Sequence, residues 1–169
     1  MDFPVFETKI ENFAKRDTLI IGECESGKTQ YVRKILQLLK SSKDIQIVEF
    51  RHAHHYEHSY DDLADRVMDL NLENLEKLFH EPRQPGQRVY AVMEECASFL
   101  IANKFEKVIH DITAGSRHYQ INFILTAQGD KDIIPALRRM CHNIIWTTSH
   151  AAVSYVSCRD NGVTRPLKV

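Results

Sequence analysis

A chain of 169 residues, 43% hydrophobic and 27% charged, suits one folded domain spanning residues 1–169. A domain of this size buries roughly two thirds of its unfolded surface without a disulfide or metal staple. A formal net charge of −1 excludes a uniformly basic surface, so any contact with DNA must come from basic residues gathered locally, as in the lining of a ring.

No apolar run approaches the roughly 20 residues of a bilayer span, so no membrane-spanning segment is expected. The start MDFPVFETKIENF lacks a signal-peptide layout, which points to the cytosol or the inside of a particle. Cys24, Cys96, Cys141 and Cys158 form no CxxC pair and read as free thiols in a reducing compartment.

In chain order, Thr18–Ile21 (TLII) is an apolar strand that leads into a glycine loop. The segment 31–39 then places Val32, Ile35, Leu36 and Leu39 on one helical face. Residues 45–50 (IQIVEF) form the next strand. Residues 61–79 are leucine-spaced and read as helix, with Asn71 as a break. A loop-rich stretch, 81–88 (EPRQPGQR), precedes a third strand at 89–93 (VYAVM), and a helix is expected over 97–113. Residues 121–126 (INFILT) and 143–147 (NIIWT) complete five strands. Near-continuous apolar strands separated by helices predict an α/β fold: a mostly parallel sheet of five or more strands flanked by helices on both faces. After the fifth strand little chain remains, so C-terminal additions are expected to be absent or minimal.

The glycine loop reads Gly22, Glu23, Cys24, Glu25, Ser26, Gly27, Lys28, Thr29 and fits GxxxxGK[ST] at every fixed position. It lies between a strand and an amphipathic helix, where a phosphate-binding loop must lie. The glycines allow the backbone to curl with its N–H groups inward, and the helix start adds the positive end of its dipole. Lys28 can reach the β- and γ-phosphates of ATP, and the Thr29 hydroxyl can ligate Mg²⁺. Glu23 and Glu25 are unusual beside a polyanion and are expected to point outward.

The strand at 89–93 runs into Glu94 and Glu95. An acid at such a strand tip serves the Mg²⁺ shell, and a second acid polarises the attacking water. Glu94 is assigned the metal side and Glu95 the general base. The usual first acid is aspartate, and the extra methylene of Glu94 changes its reach. The strand at 121–126 ends near Gln128. If that strand lies between the strand at 18–21 and the strand at 89–93, as in the additional-strand (ASCE) class that hydrolyses through a glutamate, Gln128 comes close to the γ-phosphate; otherwise it is an ordinary loop residue.

Four blocks in order, GECESGKT, VMEEC, GSRHYQINFILTAQ and IIPALRRMCHNIIW, together resemble the genome-packaging ATPases of large double-stranded DNA viruses, the poxvirus branch of the FtsK–HerA superfamily. In that family a basic segment, here Arg117, His118 and Tyr119, leads into a strand ending in glutamine, here Gln128. A helix with a proline and then an arginine, here Pro135 and Arg138, follows. The resemblance covers most of the chain. It implies a homo-oligomeric ring at a capsid vertex, contacting vertex proteins and pumping double-stranded DNA with ATP and Mg²⁺, in the host-cell cytoplasm or the virion. It also assigns an arginine finger to the segment of Arg117, with Arg138 or Arg139 in reserve. Arg117 is expected at the active end of the sheet, reaching a neighbour's nucleotide.

Other classes stay open on the residues alone: a nucleotide kinase, a nucleotide-switched assembly protein without catalysis, or a cellular FtsK–HerA-like DNA pump. A kinase would want an arginine-rich lid, and no such stretch is present. His52, His54, His55 and His58 cluster after the second strand, but the segment lacks the glutamate of HExxH and reads as a polar loop rather than a zinc site. Lys104, Lys107 and His110 read as a solvated helix face, and Trp146 as core.

Overall fold

The computed structural model describes residues 6–52, 60–96, 118–129, 131, 135–147, 154–158 and 164–168, with backbone only for 6–7, 136, 154–158 and 164–168. The described strands are β1 (Phe6–Glu7), β2 (Thr18–Ile21), β3 (Ile45–Arg51), β4 (Arg66–Asp69), β5 (Arg88–Met93), β6 (Ile121–Ala127), β7 (Asn143–Trp146), β8 (Ser154–Cys158) and β9 (Thr164–Lys168). The described helices are α1 (Ile10–Phe13), α2 (Lys28–Lys40), α3 (Leu72–His80) and α4 (Pro135–Met140). The helix expected over 97–113, with Lys104, Lys107 and His110, lies outside the described residues, as do Arg117, His54, His55 and His58.

The strands form one sheet in the order β1-β9-β8-β7-β2-β6-β5-β3-β4. The six from β7 to β4 are all parallel, as the apolar strands predict. Their side chains divide by strand alternation into two cores. Leu19, Val48, Phe50, Ala91, Phe123 and Leu125 pack with Leu75, Leu78 and Phe79 of α3 and Leu137 of α4. Ile20, Ile47, Val92 and Ile124 pack with Phe13 of α1 and with Val32, Ile35, Leu36 and Leu39 of α2. Helices therefore cover both faces, which a sheet with apolar residues on both sides demands. Among the described residues no helix is long and apolar enough to cross a membrane.

Two expectations are corrected, and the break expected at Asn71 is present. Residues 66–69, read as helix, form the strand β4, because their backbone completes the parallel ladder of β3 from Val48–Arg66 to Arg51–Asp69. Of these four residues only Met68 is buried, so helical and strand patterns were indistinguishable over so short a run. Asn71 is where α3 begins, its side-chain oxygen accepting from Asn74 N at 2.8 Å. Beyond the fifth predicted strand the chain adds β8, antiparallel to β7, and β9, antiparallel to β8. Neither SYVSC nor TRPLK has the near-continuous apolar run of the five predicted strands, and Pro166 argues against a strand.

At the amino edge of the sheet the buried Asp17 joins three strands. Its Oδ1 accepts from Phe123 N at 2.8 Å and Asn122 Nδ2 at 3.1 Å, and its carbonyl accepts from His142 N and Asn143 N.

The Asn71 cap lies at an exposed helix start. Asn71→Ala is expected to lower stability by about 1 kcal/mol in urea denaturation, with Asn71→Asp retaining most of it.

Candidate nucleotide site at the carboxyl edge of the sheet

Parallel strands deliver their carboxyl ends to one edge, and in open α/β sheets this edge holds the ligand. Here β2 ends in the glycine loop, β5 in Glu94 and Glu95, β6 in Gln128, β7 in Thr147 and β3 in His52. The sheet places β6 between β2 and β5, pairing Ile21 with Ala127 on one side and Met93 with Leu125 on the other. This is the inserted strand on which the expectation for Gln128 depended.

The loop folds as its glycines require, for two different reasons. Gly27 has φ 89°, a left-handed conformation that costs glycine little, and it leads directly into α2. Gly22 is needed for closeness: a Cβ there would lie 2.1 Å from Thr147 Oγ1 and 2.3 Å from Ser26 Oγ. Ser26 Oγ and Thr147 Oγ1 are themselves 2.6 Å apart, and Thr147 N donates to Ile21 O at 2.8 Å. The tip of β7 thus braces the loop from behind. Glu23, Cys24 and Glu25 are exposed, as expected for acids beside a phosphate site.

Lys28 is buried within the loop and donates to Gly22 O at 2.7 Å and Glu23 O at 2.9 Å. Its ammonium lies 3.6 Å from Glu95 Oε1. The two glutamates diverge because Glu95 has φ 49°, an uncommon conformation for a residue with a Cβ. Its amide donates to Thr126 Oγ1 of β6 at 3.0 Å, so the inserted strand holds this turn. Glu94 faces the other way, its Oε1 accepting from Thr29 Oγ1 at 2.9 Å and from the Tyr60 hydroxyl. Burial, and then the charge of Glu94, push the Tyr60 hydroxyl far above its ordinary value, so it remains a donor. His52 Nε2 lies 3.2 Å from the carbonyl oxygen of Glu94.

The Thr29 hydroxyl and Glu94 carboxylate form a hard-oxygen pair of the kind that suits Mg²⁺, which keeps several waters and takes its other ligands from phosphate. Glu94 reaches Thr29 despite its extra methylene. Gln128 is exposed at the tip of β6, beside the loop whose Gly22 N donates to Ala127 O at 3.1 Å.

The expectation for the basic segment is corrected in direction. Because β6 runs parallel to β2, His118, Tyr119 and Gln120 enter it at the opposite edge, where Gln120 O accepts from Val89 N. Seven residues of strand separate that edge from the loop, about 20 Å. The end of α4, after Arg138 and Arg139, also lies at that edge, next to Asp17.

Tyr60, Thr126 and Thr147 were not predicted. Thr126 and Thr147 carry a faint signal, each the first hydroxyl at the end of an apolar run. Tyr60 carries none.

Solved structures share this fold. The genome packaging NTPase B204 of Sulfolobus turreted icosahedral virus 2, in complex with ATP-gammaS, aligns with a TM-score of 0.71 and 14% identity, covering 91% of this chain and 97% of that one. B204, the DNA-packaging ATPase from Sulfolobus turreted icosahedral virus, aligns at 0.71 and 16% identity with the same coverage. The cytoplasmic domain of the type VII secretion ATPase EccC from Thermomonospora curvata aligns at 0.60 and 12% identity, over 89% of this chain and 23% of that one. No protein-family model and no curated protein matches the chain. The likeness establishes the P-loop NTPase fold.

The thiols offer a direct probe of the loop. Cys96 is buried, and burial with the neighbouring Glu95 charge pushes its pKa up to about 12. Cys141 is raised well above its ordinary value, chiefly by burial. Both therefore stay protonated and unreactive at neutral pH, whereas Cys24 is exposed in the loop. Alkylation at pH 7.5 read by peptide mass spectrometry should label Cys24 well before Cys96 or Cys141, and Mg-ATP should slow the labelling of Cys24.

Proposed function

We propose that the chain is an ATP-hydrolysing motor that moves double-stranded viral DNA into a preformed capsid. The observation that carries this reading is the inserted strand β6, whose Thr126 hydroxyl accepts from the Glu95 amide while the Glu95 carboxylate lies 3.6 Å from Lys28. A carboxylate so placed beside the phosphate loop serves as a general base toward water. Support for packaging comes from the viral NTPases, whose length this chain matches nearly end to end, and from the sequence blocks resembling the poxvirus branch of the FtsK–HerA superfamily.

In this reading the loop from Gly22 to Thr29 cradles the phosphates and Lys28 meets the β- and γ-oxygens. Thr29 and Glu94 would hold Mg²⁺, which would supply charge neutralisation there. Glu95 takes the proton of the attacking water, and Gln128 faces the γ-phosphate. The working form is a homo-oligomeric ring around double-stranded DNA at a capsid vertex, in the host-cell cytoplasm or the virion.

ATP turnover measured with and without double-stranded DNA tests the proposal. DNA-stimulated hydrolysis is expected; turnover requiring a small phosphate acceptor indicates a kinase, and binding without turnover a switch. Glu95→Gln should bind Mg-ATP normally and hydrolyse it roughly 10²–10⁴-fold more slowly, while Lys28→Ala should abolish turnover without unfolding.

The arginine finger is assigned to Arg117, acting in trans. The described residues after it enter β6 about 20 Å from their own loop, so a finger on this segment suits a neighbour's nucleotide. Mixing inactive Arg117→Ala and inactive Lys28→Ala subunits should restore part of the hydrolysis, at interfaces that pair an intact finger with an intact loop. No rescue, with activity proportional to concentration down to the monomer, contradicts the assignment.

A further inference from the structure

We propose that Tyr60 is a positioning residue for the metal-side carboxylate: its buried hydroxyl holds Glu94 in the orientation that meets Thr29. This role rests on the nucleotide-site reading above and adds to it a residue from outside the loop, the acid pair and the inserted strand.

A glutamate side chain has three rotatable bonds, and an ion site at its end needs all of them set. Two donors from different elements converge on Glu94 Oε1. One is the Thr29 hydroxyl, in the first turn of α2, at 2.9 Å; the other is the Tyr60 hydroxyl. Two donors on one oxygen define an orientation that a single donor leaves free. Hydrogen bonds to a carboxylate are also stronger than those between neutral groups.

Tyr60 is itself held rigidly. It is wholly buried, its ring packed in the core between α2 and the sheet. The turn that begins with it, residues 60–65, is fastened on two sides. Toward α2, Arg33 makes paired bonds to Asp62 at 2.9 and 2.6 Å, and Lys40 bonds Asp65 at 2.6 Å. Toward β3, Asp65 Oδ2 accepts from Ile47 N at 2.8 Å, Asp65 N donates to Ile47 O at 2.8 Å, and Arg51 bonds Asp61. The Tyr60 carbonyl closes the turn by accepting from Leu63 N and Ala64 N. A side chain serving only as core filling would need a partner for its hydroxyl, and any backbone carbonyl would do. Here the partner is the acid that also accepts from Thr29.

The test measures Mn²⁺ binding to the full chain with a non-hydrolysable ATP analogue, by electron paramagnetic resonance of free Mn²⁺, alongside analogue binding in EDTA. Tyr60→Phe keeps the ring and removes the hydroxyl. It should weaken Mn²⁺ binding roughly tenfold while analogue binding without metal stays unchanged. In a Glu94→Asp background, whose shorter arm cannot meet both donors, Tyr60→Phe should have little further effect. Should Tyr60→Phe fold poorly, Asp62→Asn, which loosens the turn from α2 at an exposed position, should give a smaller weakening of the same sign. Unchanged Mn²⁺ affinity in these variants, or equal loss of metal-free binding, overturns the Tyr60 role alone. A wild-type chain that binds no analogue overturns the nucleotide site and the Tyr60 role together.

Discussion

The parallel pairing of β6 with β2 on one side and β5 on the other is the constraint on which the site depends. Parallel direction brings the ends of all three strands to one edge, and the intervening strand separates loop from acids by two interstrand spacings, roughly 9–10 Å. Across that gap Lys28 and Glu95 meet from opposite sides at 3.6 Å. Adjacent β2 and β5 would leave no strand to hold the Glu95 turn through Thr126. The same order leaves Glu94 facing α2, where Thr29 receives it.

The polar contacts at this edge are held by an apolar sandwich rather than by one another. Each strand buries alternate residues in separate cores, one against α3 and α4 and the other against α1 and α2. Burial on both faces anchors the strand ends, and anchored ends make an uncommon backbone such as Glu95 tolerable. At the far edge Asp17 ties the beginnings of β2, β6 and β7, its carboxylate accepting from Phe123 N and its carbonyl from His142 N and Asn143 N, so those three strands are fixed in register at both ends. At the near edge Thr147 and Ser26 close the same strands onto the loop. A methyl group at Gly22 has no room there.

Charge is confined in the same way. A chain of formal net charge −1 keeps a buried ammonium at Lys28 by giving it two loop carbonyls and a nearby carboxylate. The acids within the loop, Glu23 and Glu25, stay in solvent, where water screens them from the site. The acids of the turn at 60–65 are paired with basic residues on α2 and β3, so the support behind Glu94 is built from matched charges.

What the sequence alone determined is what neighbours along the chain encode. The phosphate loop lies within eight residues between a strand and a helix, and its spacing is the geometry. The acid pair follows directly from an apolar strand, and the apolar runs of β2, β3, β5, β6 and β7 announce strands buried on both faces. Short or mixed segments gave no such signal: β4 has one buried residue in four, and β9 contains a proline. Only the tertiary structure decided which strands are neighbours, and with it the contacts of the site. Ser26 meets Thr147 across 121 positions, Glu94 meets Tyr60 across 34, and Glu95 meets Thr126 across 31. The edge at which the segment after Arg117 enters the sheet was settled by strand direction, which no residue type reveals. Local motifs are written in adjacent residues because one turn of backbone forms them. The supports of Glu94 and Glu95 come from distant segments, and the burial of the whole sheet brings those together.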